Sequence, residues 1–134
     1  MSFVIDASIA LSWYLPGETS AVSEAAFARL RDADAVAPIL WWFEIRNTLV
    51  ISERRKRITP AQAVQILARL DELPLRLDAA PDSETVLALA RAHGLTVYDA
   101  AYLELALRLM VPLATLDRAL IAAAPAAGVE LLTA

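Results

Sequence analysis

The sequence predicts an α/β fold of three layers, with helices on both faces of a central, mainly parallel sheet of four or five short strands. Two observations lead there. Short apolar runs alternate with longer stretches of helical periodicity along the whole chain, and a strand that returns parallel to its neighbour needs a helical crossover. The 134 residues also carry no flexible linker, low-complexity tract or internal repeat, and that length suffices to bury a core without disulfides or a structural metal. Residues 1–134 are therefore read as a single domain.

Each element has its own signal. Phe3-Val4-Ile5 is an apolar run of buried-strand type, and Ala7 to Leu15 follows as a helix until Pro16-Gly17 breaks it. Glu18 to Arg31 resumes helical spacing, with Val22, Ala25, Ala26, Phe27 and Leu30 on one side. Ala35-Val36-Ala37 before Pro38 reads as a second strand, and Leu40 to Arg57 as a long helix whose closing cations suit a C-terminus. Thr59-Pro60 is a cap with proline at the first helical position, opening a helix to about Leu73, and Leu75-Arg76-Leu77 is a third strand. Pro81-Asp82-Ser83-Glu84 starts a helix that runs to His93 and stops at Gly94. Leu95 to Tyr98 reads as a connector, Asp99 to Met110 as a helix, Pro112 to Thr115 as a strand, Asp117 to Ala124 as a helix and Val129 to Leu132 as a last strand.

Composition narrows the chemistry. With no cysteine there is no disulfide framework, thiolate metal site or thiol nucleophile, so any metal must be held by oxygen or by the single histidine. Met1 to Asp6 run straight into a strand pattern rather than a basic and then apolar leader, which makes a reducing cytoplasm the expected compartment. The hydrophobic fraction is 58%, yet charges interrupt each apolar stretch before the ~18 residues of a membrane span, so the excess is expected in protein interfaces. A net charge of −4 has the wrong sign for gripping nucleic acid by charge alone. A nucleic-acid reading needs a metal, a local basic patch, or both.

Of sixteen acidic residues, four have unusual settings. Asp6 and Asp117 fall just after strand patterns, where open parallel sheets gather their ligands. Glu44 lies among Trp41, Trp42, Phe43 and Ile45, and Asp99 between Tyr98 and Ala100-Ala101. Taken singly, Asp6, Asp99 and Asp117 could be N-caps, and Glu44 could pair with Arg46 or face solvent. Brought together they would be like charges that demand a cation, and an oxygen-only set favours Mg²⁺ or Mn²⁺ over Zn²⁺.

At these residues the sequence closely resembles the PIN-domain ribonucleases, specifically the toxin component of VapBC-type toxin–antitoxin pairs. The matching pieces are Phe3-Val4-Ile5-Asp6-Ala7-Ser8, Trp42-Phe43-Glu44-Ile45-Arg46-Asn47-Thr48-Leu49, Leu95-Thr96-Val97-Tyr98-Asp99-Ala100-Ala101-Tyr102 and Leu113-Ala114-Thr115-Leu116-Asp117, in the family's order across nearly the whole chain. The resemblance implies a PIN-like fold and a Mg²⁺- or Mn²⁺-dependent endoribonuclease that hydrolyses RNA phosphodiester bonds with a metal-activated water. It implies Asp6, Glu44, Asp99 and Asp117 as the catalytic, metal-binding acids, with Ser8 and Thr115 supporting them. Asn47, one helical turn from Glu44, either shares the site face or is an ordinary exposed polar residue. An RNA substrate, a small cognate antitoxin and a homodimer or higher toxin–antitoxin assembly complete the expectation, with no membrane.

Arg46 and the run Arg54, Arg55, Lys56 and Arg57 are candidate RNA or antitoxin contacts, although a solvated cationic helix end explains the run with less machinery. Trp13, Trp41 and Trp42 could stack bases, but adjacent tryptophans cannot both face one side of a helix, so a core or subunit contact is expected for at least one and an interface with the antitoxin or a second copy for the other. His93 fits a helix end better than catalysis. A phosphatase of the haloacid dehalogenase type would share Asp6 but needs a second aspartate where Ser8 stands, and a lysine other than Lys56, the only one. A catalytically inactive PIN-like module that binds RNA or protein remains the alternative, and its mark, loss of one of the acids, is absent.

Overall fold

The computed structural model describes residues 1–134. Strand β1 (Ser2–Ile5) leads into α1 (Ala7–Ser12) and α2 (Ala21–Arg29), β2 (Asp34–Pro38) into α3 (Leu40–Arg54) and α4 (Pro60–Asp71), and β3 (Leu75–Asp78) into α5 (Ser83–His93) and α6 (Val97–Leu109). β4 (Leu113–Ala114) and α7 (Arg118–Ala126) follow. All strands pair in parallel in the order β3-β2-β1-β4. Phe3, Val4 and Ile5 of β1 and Ala35, Val36 and Ala37 of β2 are completely buried, as strands covered on both faces must be. Helix α6 lies across β1 and β2 with α5 and α7 against it, while α3 touches β2 and gathers α1 and α4. The result is the three-layer α/β/α arrangement with the smaller of the expected strand numbers. No helix is long and apolar enough to cross a membrane.

Several boundaries differ from the sequence reading, each for a local reason. The first helix ends at Ser12, whose hydroxyl bonds back to the Ile9 carbonyl at 2.6 Å. The second starts at Ala21 instead of Glu18, because Ser20 and Ser23 form a reciprocal capping box. Arg55, Lys56 and Arg57 lie beyond the end of α3, with Lys56 in the left-handed region at φ 57°. The supposed connector at Leu95–Tyr98 is half helix: Thr96 caps α6 by accepting the Asp99 amide at 3.0 Å. Asp99 is thus in the first turn and is not the cap. The last strand reduces to one bridge, Leu113 with Leu131. Gly94 ends α5 as its sequence position predicts, in the left-handed conformation at φ 63°.

Candidate active site

Parallel pairing sets the site by placing the ends of β1 and β4 side by side. Ile5 is in register with Ala114, and the Asp6 amide donates to the Ala114 carbonyl at 3.2 Å. Asp6 and Thr115 therefore leave the sheet as neighbours, at its carboxyl edge. Asp6 also caps α1, accepting the Ile9 amide at 3.1 Å on Oδ1. Ser8 donates to the same oxygen at 2.6 Å, and Thr115 donates to Oδ2. Each hydroxyl is itself an acceptor, Ser8 from the Leu116 amide at 3.1 Å and Thr115 from the Asp117 amide at 3.0 Å. Those amides direct both hydroxyl protons toward Asp6. Ser8 and Thr115 thus hold the carboxylate and tie it to the loop before α7.

The other acids arrive on helix starts. Asp117 caps α7 through the Leu120 amide at 3.0 Å, and Asp99 stands in the first turn of α6. Positive helix ends partly compensate both. Glu44, further into α3, is held by a side chain: Tyr102 of α6 donates its hydroxyl to Oε1 at 2.5 Å. Asp6, Glu44, Asp99 and Asp117 all line one open cleft of about 380 Å³, together with Glu18, Ser8, Thr48 and Tyr102, and no lysine, arginine or histidine faces it. A cap role and a site role are therefore compatible at Asp6 and Asp117.

Electrostatics follow from that crowding. Burial pushes the Asp6 carboxyl up against the opposing hydrogen bonds of Ser8, Thr115 and Ile9, with the Asp117 charge adding to the rise. Burial also raises Glu44, whose bond from Tyr102 opposes the shift while Asp6, Asp99 and Asp117 reinforce it. Asp99 rises through burial and then the Asp117 charge. Burial and then the Glu44 carboxylate push the Tyr102 phenol far up, so it stays a donor. No three acids stand close enough to hold a cation directly by themselves. A Mg²⁺-like ion keeps several waters and takes only one or two direct carboxylates, so a cleft this wide with oxygen donors alone fits such an ion.

A profile of the PIN domain family matches residues 3–126. The chain belongs to the PIN domain family. This PIN domain is 35% identical over 129 residues to the "Ribonuclease VapC3" of Pyrobaculum aerophilum, covering 94% of this chain and 97% of that protein. It is also similar to the crystal structure of PAE2754 from Pyrobaculum aerophilum, with a TM-score of 0.71 at 24% identity over 92% of this chain and 84% of the other. That second likeness concerns the fold.

The remaining sequence candidates fall outside the cleft lining. Asn47 is exposed and sits in an adjoining shallow depression with Phe43 and Tyr98, which shares Glu44 and Asp99 with the cleft. Thr48, one residue on, is the one that faces the acids. Arg46 does not pair with Glu44; its guanidinium lies 3.7 Å from the centre of the Trp42 ring. Trp41 is buried and Trp42 exposed, as adjacent helix positions require. Arg54, Arg55 and Lys56 are exposed, while Arg57 stands 3.8 Å from Glu18, one of the cleft-lining residues. Sequence reasoning missed Tyr102, which looks like core in the run Ala100-Ala101-Tyr102-Leu103. Its signal was chemical: a buried phenol needs a polar partner.

Proposed function

We propose that this PIN domain is a metal-dependent endoribonuclease, the toxin of a toxin–antitoxin pair. The observation that carries the reading is the convergence of Asp6, Glu44, Asp99 and Asp117 on one cleft that no cationic side chain faces. Like charges crowded into a partly buried cleft without a counterion are costly, and a phosphodiester substrate would add more negative charge to the same place. Asp6, Glu44, Asp99 and Asp117 would hold Mg²⁺ or Mn²⁺. Bound there, the ion supplies Lewis acidity, both to lower the pKa of a water and to offset charge on the phosphoryl oxygens.

The chain's own groups divide the remaining work. Ser8 and Thr115 keep Asp6 in one orientation. With its one histidine outside the cleft lining, the protein leaves proton transfer to carboxylates and water. The depression beside the cleft offers the rings of Phe43 and Tyr98 and the amide of Asn47, suited to stacking and hydrogen-bonding an unpaired base. Arg57, 3.8 Å from the cleft residue Glu18, and the neighbouring Arg54, Arg55 and Lys56 would attract the RNA backbone or an acidic antitoxin segment.

The likeness to a protein named as a VapC ribonuclease supports the ribonuclease and toxin role; a small antitoxin partner, a homodimer and a cytoplasmic setting are part of the proposal. The decisive experiment incubates purified protein with labelled structured RNAs in EDTA and after addition of Mg²⁺ or Mn²⁺. Internal cleavage only with the ion is expected. Binding of RNA without scission in Mn²⁺ would instead favour a non-catalytic PIN module, and cleavage that persists in EDTA would remove the metal from the reading.

A further inference from the structure

We infer that Tyr102 is a positioning residue for Glu44: its hydroxyl fixes one carboxylate oxygen, so that the other is presented to the cleft where a divalent cation would bind. The inference rests on the nuclease reading above and names a residue that reading does not require.

The argument begins with what each acid has to hold it. Asp6 has three donors on its two oxygens. Asp117 caps a helix, and Asp99 sits in a capped first turn. Glu44 is different, because it is the fifth residue of α3. The backbone amides left free at a helix start belong to the first turn, so no amide is at hand to restrain it. It also has the longest and most flexible side chain of the set. Repulsion from Asp6, Asp99 and Asp117, all of which act on it, would turn an untethered Glu44 toward open solvent and away from the shared cation position.

The Tyr102 hydroxyl supplies the missing restraint. Its ring is 1% exposed within a wholly buried stretch from Ala100 to Ala106, a position where phenylalanine would satisfy packing. The hydroxyl instead emerges on the cleft and reaches Glu44 Oε1 at 2.5 Å, across 58 positions of sequence. An ionised carboxylate only accepts, so the phenol supplies the proton of this bond and directs it at Glu44. One carboxylate oxygen is thus occupied, and its partner is the one free to face Asp6, Asp99 and Asp117. An outer residue that orients a ligand in this way typically changes metal affinity 10–100-fold when removed.

The test measures Mn²⁺ binding to the full chain by electron paramagnetic resonance titration, in the wild type, Tyr102→Phe, Glu44→Gln and the double variant, each checked by circular dichroism. We expect Tyr102→Phe to fold normally and to weaken Mn²⁺ binding about tenfold, and to change it less than about twofold once Glu44 is Gln, the pattern of two residues acting through one interaction. Binding within twofold of wild type in Tyr102→Phe, or a tenfold loss that persists in the Glu44→Gln background, would overturn the inference alone. So would a Tyr102→Phe chain that fails to fold, since the hydroxyl would then be structural. A wild type that binds no Mn²⁺ would overturn both this inference and the nuclease reading.

Discussion

Helix α6 carries acids of two kinds, and their difference separates structure from function in this molecule. Near its middle, Glu104 is 2% exposed yet has its own counterion one turn on: Arg108 Nε and Nη2 both bond it at 2.9 Å. The same guanidinium grips Asp78 at the end of β3, at 2.7 Å, and holds that carboxyl below its ordinary range. At the start of the helix, Asp99 faces Asp6, Glu44 and Asp117 with no cation among them, and burial with mutual repulsion raises the first three. One cluster finds its counterion within the chain. The other has none among its lining residues, which is what the proposed cation site requires.

The sharpest way to break the comparison is to remove a charge from the open cluster. Asp6→Asn or Asp99→Asn should lower kcat/KM on RNA by roughly a thousandfold, since a cation's charge stabilisation is worth several kcal/mol. The melting temperature should hold or rise in Asp99→Asn, while in Asp6→Asn the relief of repulsion is offset by an amide N–H facing one of the two hydroxyls. Asparagine still caps α1 at position 6, and either change relieves repulsion. Cleavage at wild-type rate in both variants would defeat the assignment.

Removing charge from the closed cluster should do the reverse. Arg108→Met strands a buried Glu104, and breaking a buried pair costs about 3–5 kcal/mol. Arg108 is itself about one-third exposed, so about 2 kcal/mol is the expected loss in urea unfolding, with kcat per folded molecule unchanged. Replacing Glu104 by Leu in the same chain should recover part of it, because an apolar pair leaves no charge unpaired. A stable Arg108→Met protein with impaired cleavage would mean that the two clusters are coupled.

How far the sequence could carry this depended on the range of the interaction concerned. Phe3-Val4-Ile5 declares a buried strand, and Asp6 after it declares an edge residue, because both follow from neighbouring residues. The start of α6 was hidden: Val97 and Tyr98 carry weak helix preference, and only the reach of Thr96 to the Asp99 amide shows the cap. Tyr102 and Glu104 were invisible as functional and structural groups for opposite reasons. The partner of Tyr102 lies in another helix, and Glu104 with Arg108 looks like any surface i, i+4 pair until burial is known. Asn47 and Thr48 show the limit of helical spacing, since either is one turn from Glu44 and only packing chooses Thr48 for the cleft.

The smallest effect tests whether the open cluster is strained in the absence of a cation. Asp6, Glu44 and Asp99 have raised folded-state values against ordinary ones of 3.8 and 4.5. Once the pH passes those ordinary values, the folded state holds more protons than the unfolded state, so stability must fall as pH rises. Asp78 has the opposite sign, being lowered, and its contribution is lost only on acidification through its folded value. In EDTA the melting temperature should therefore decline from about pH 5 toward neutrality, modestly, because Glu44 and Asp99 remain partly solvated. Asp99→Asn should flatten that decline by removing one raised group and the charge that raises Glu44. Mg²⁺ should flatten it in the wild type by favouring the ionised carboxylates. A melting temperature that climbs over the same interval without metal would mean that Ser8, Thr115 and Tyr102 already outweigh the repulsion, and that the cluster is satisfied as it stands.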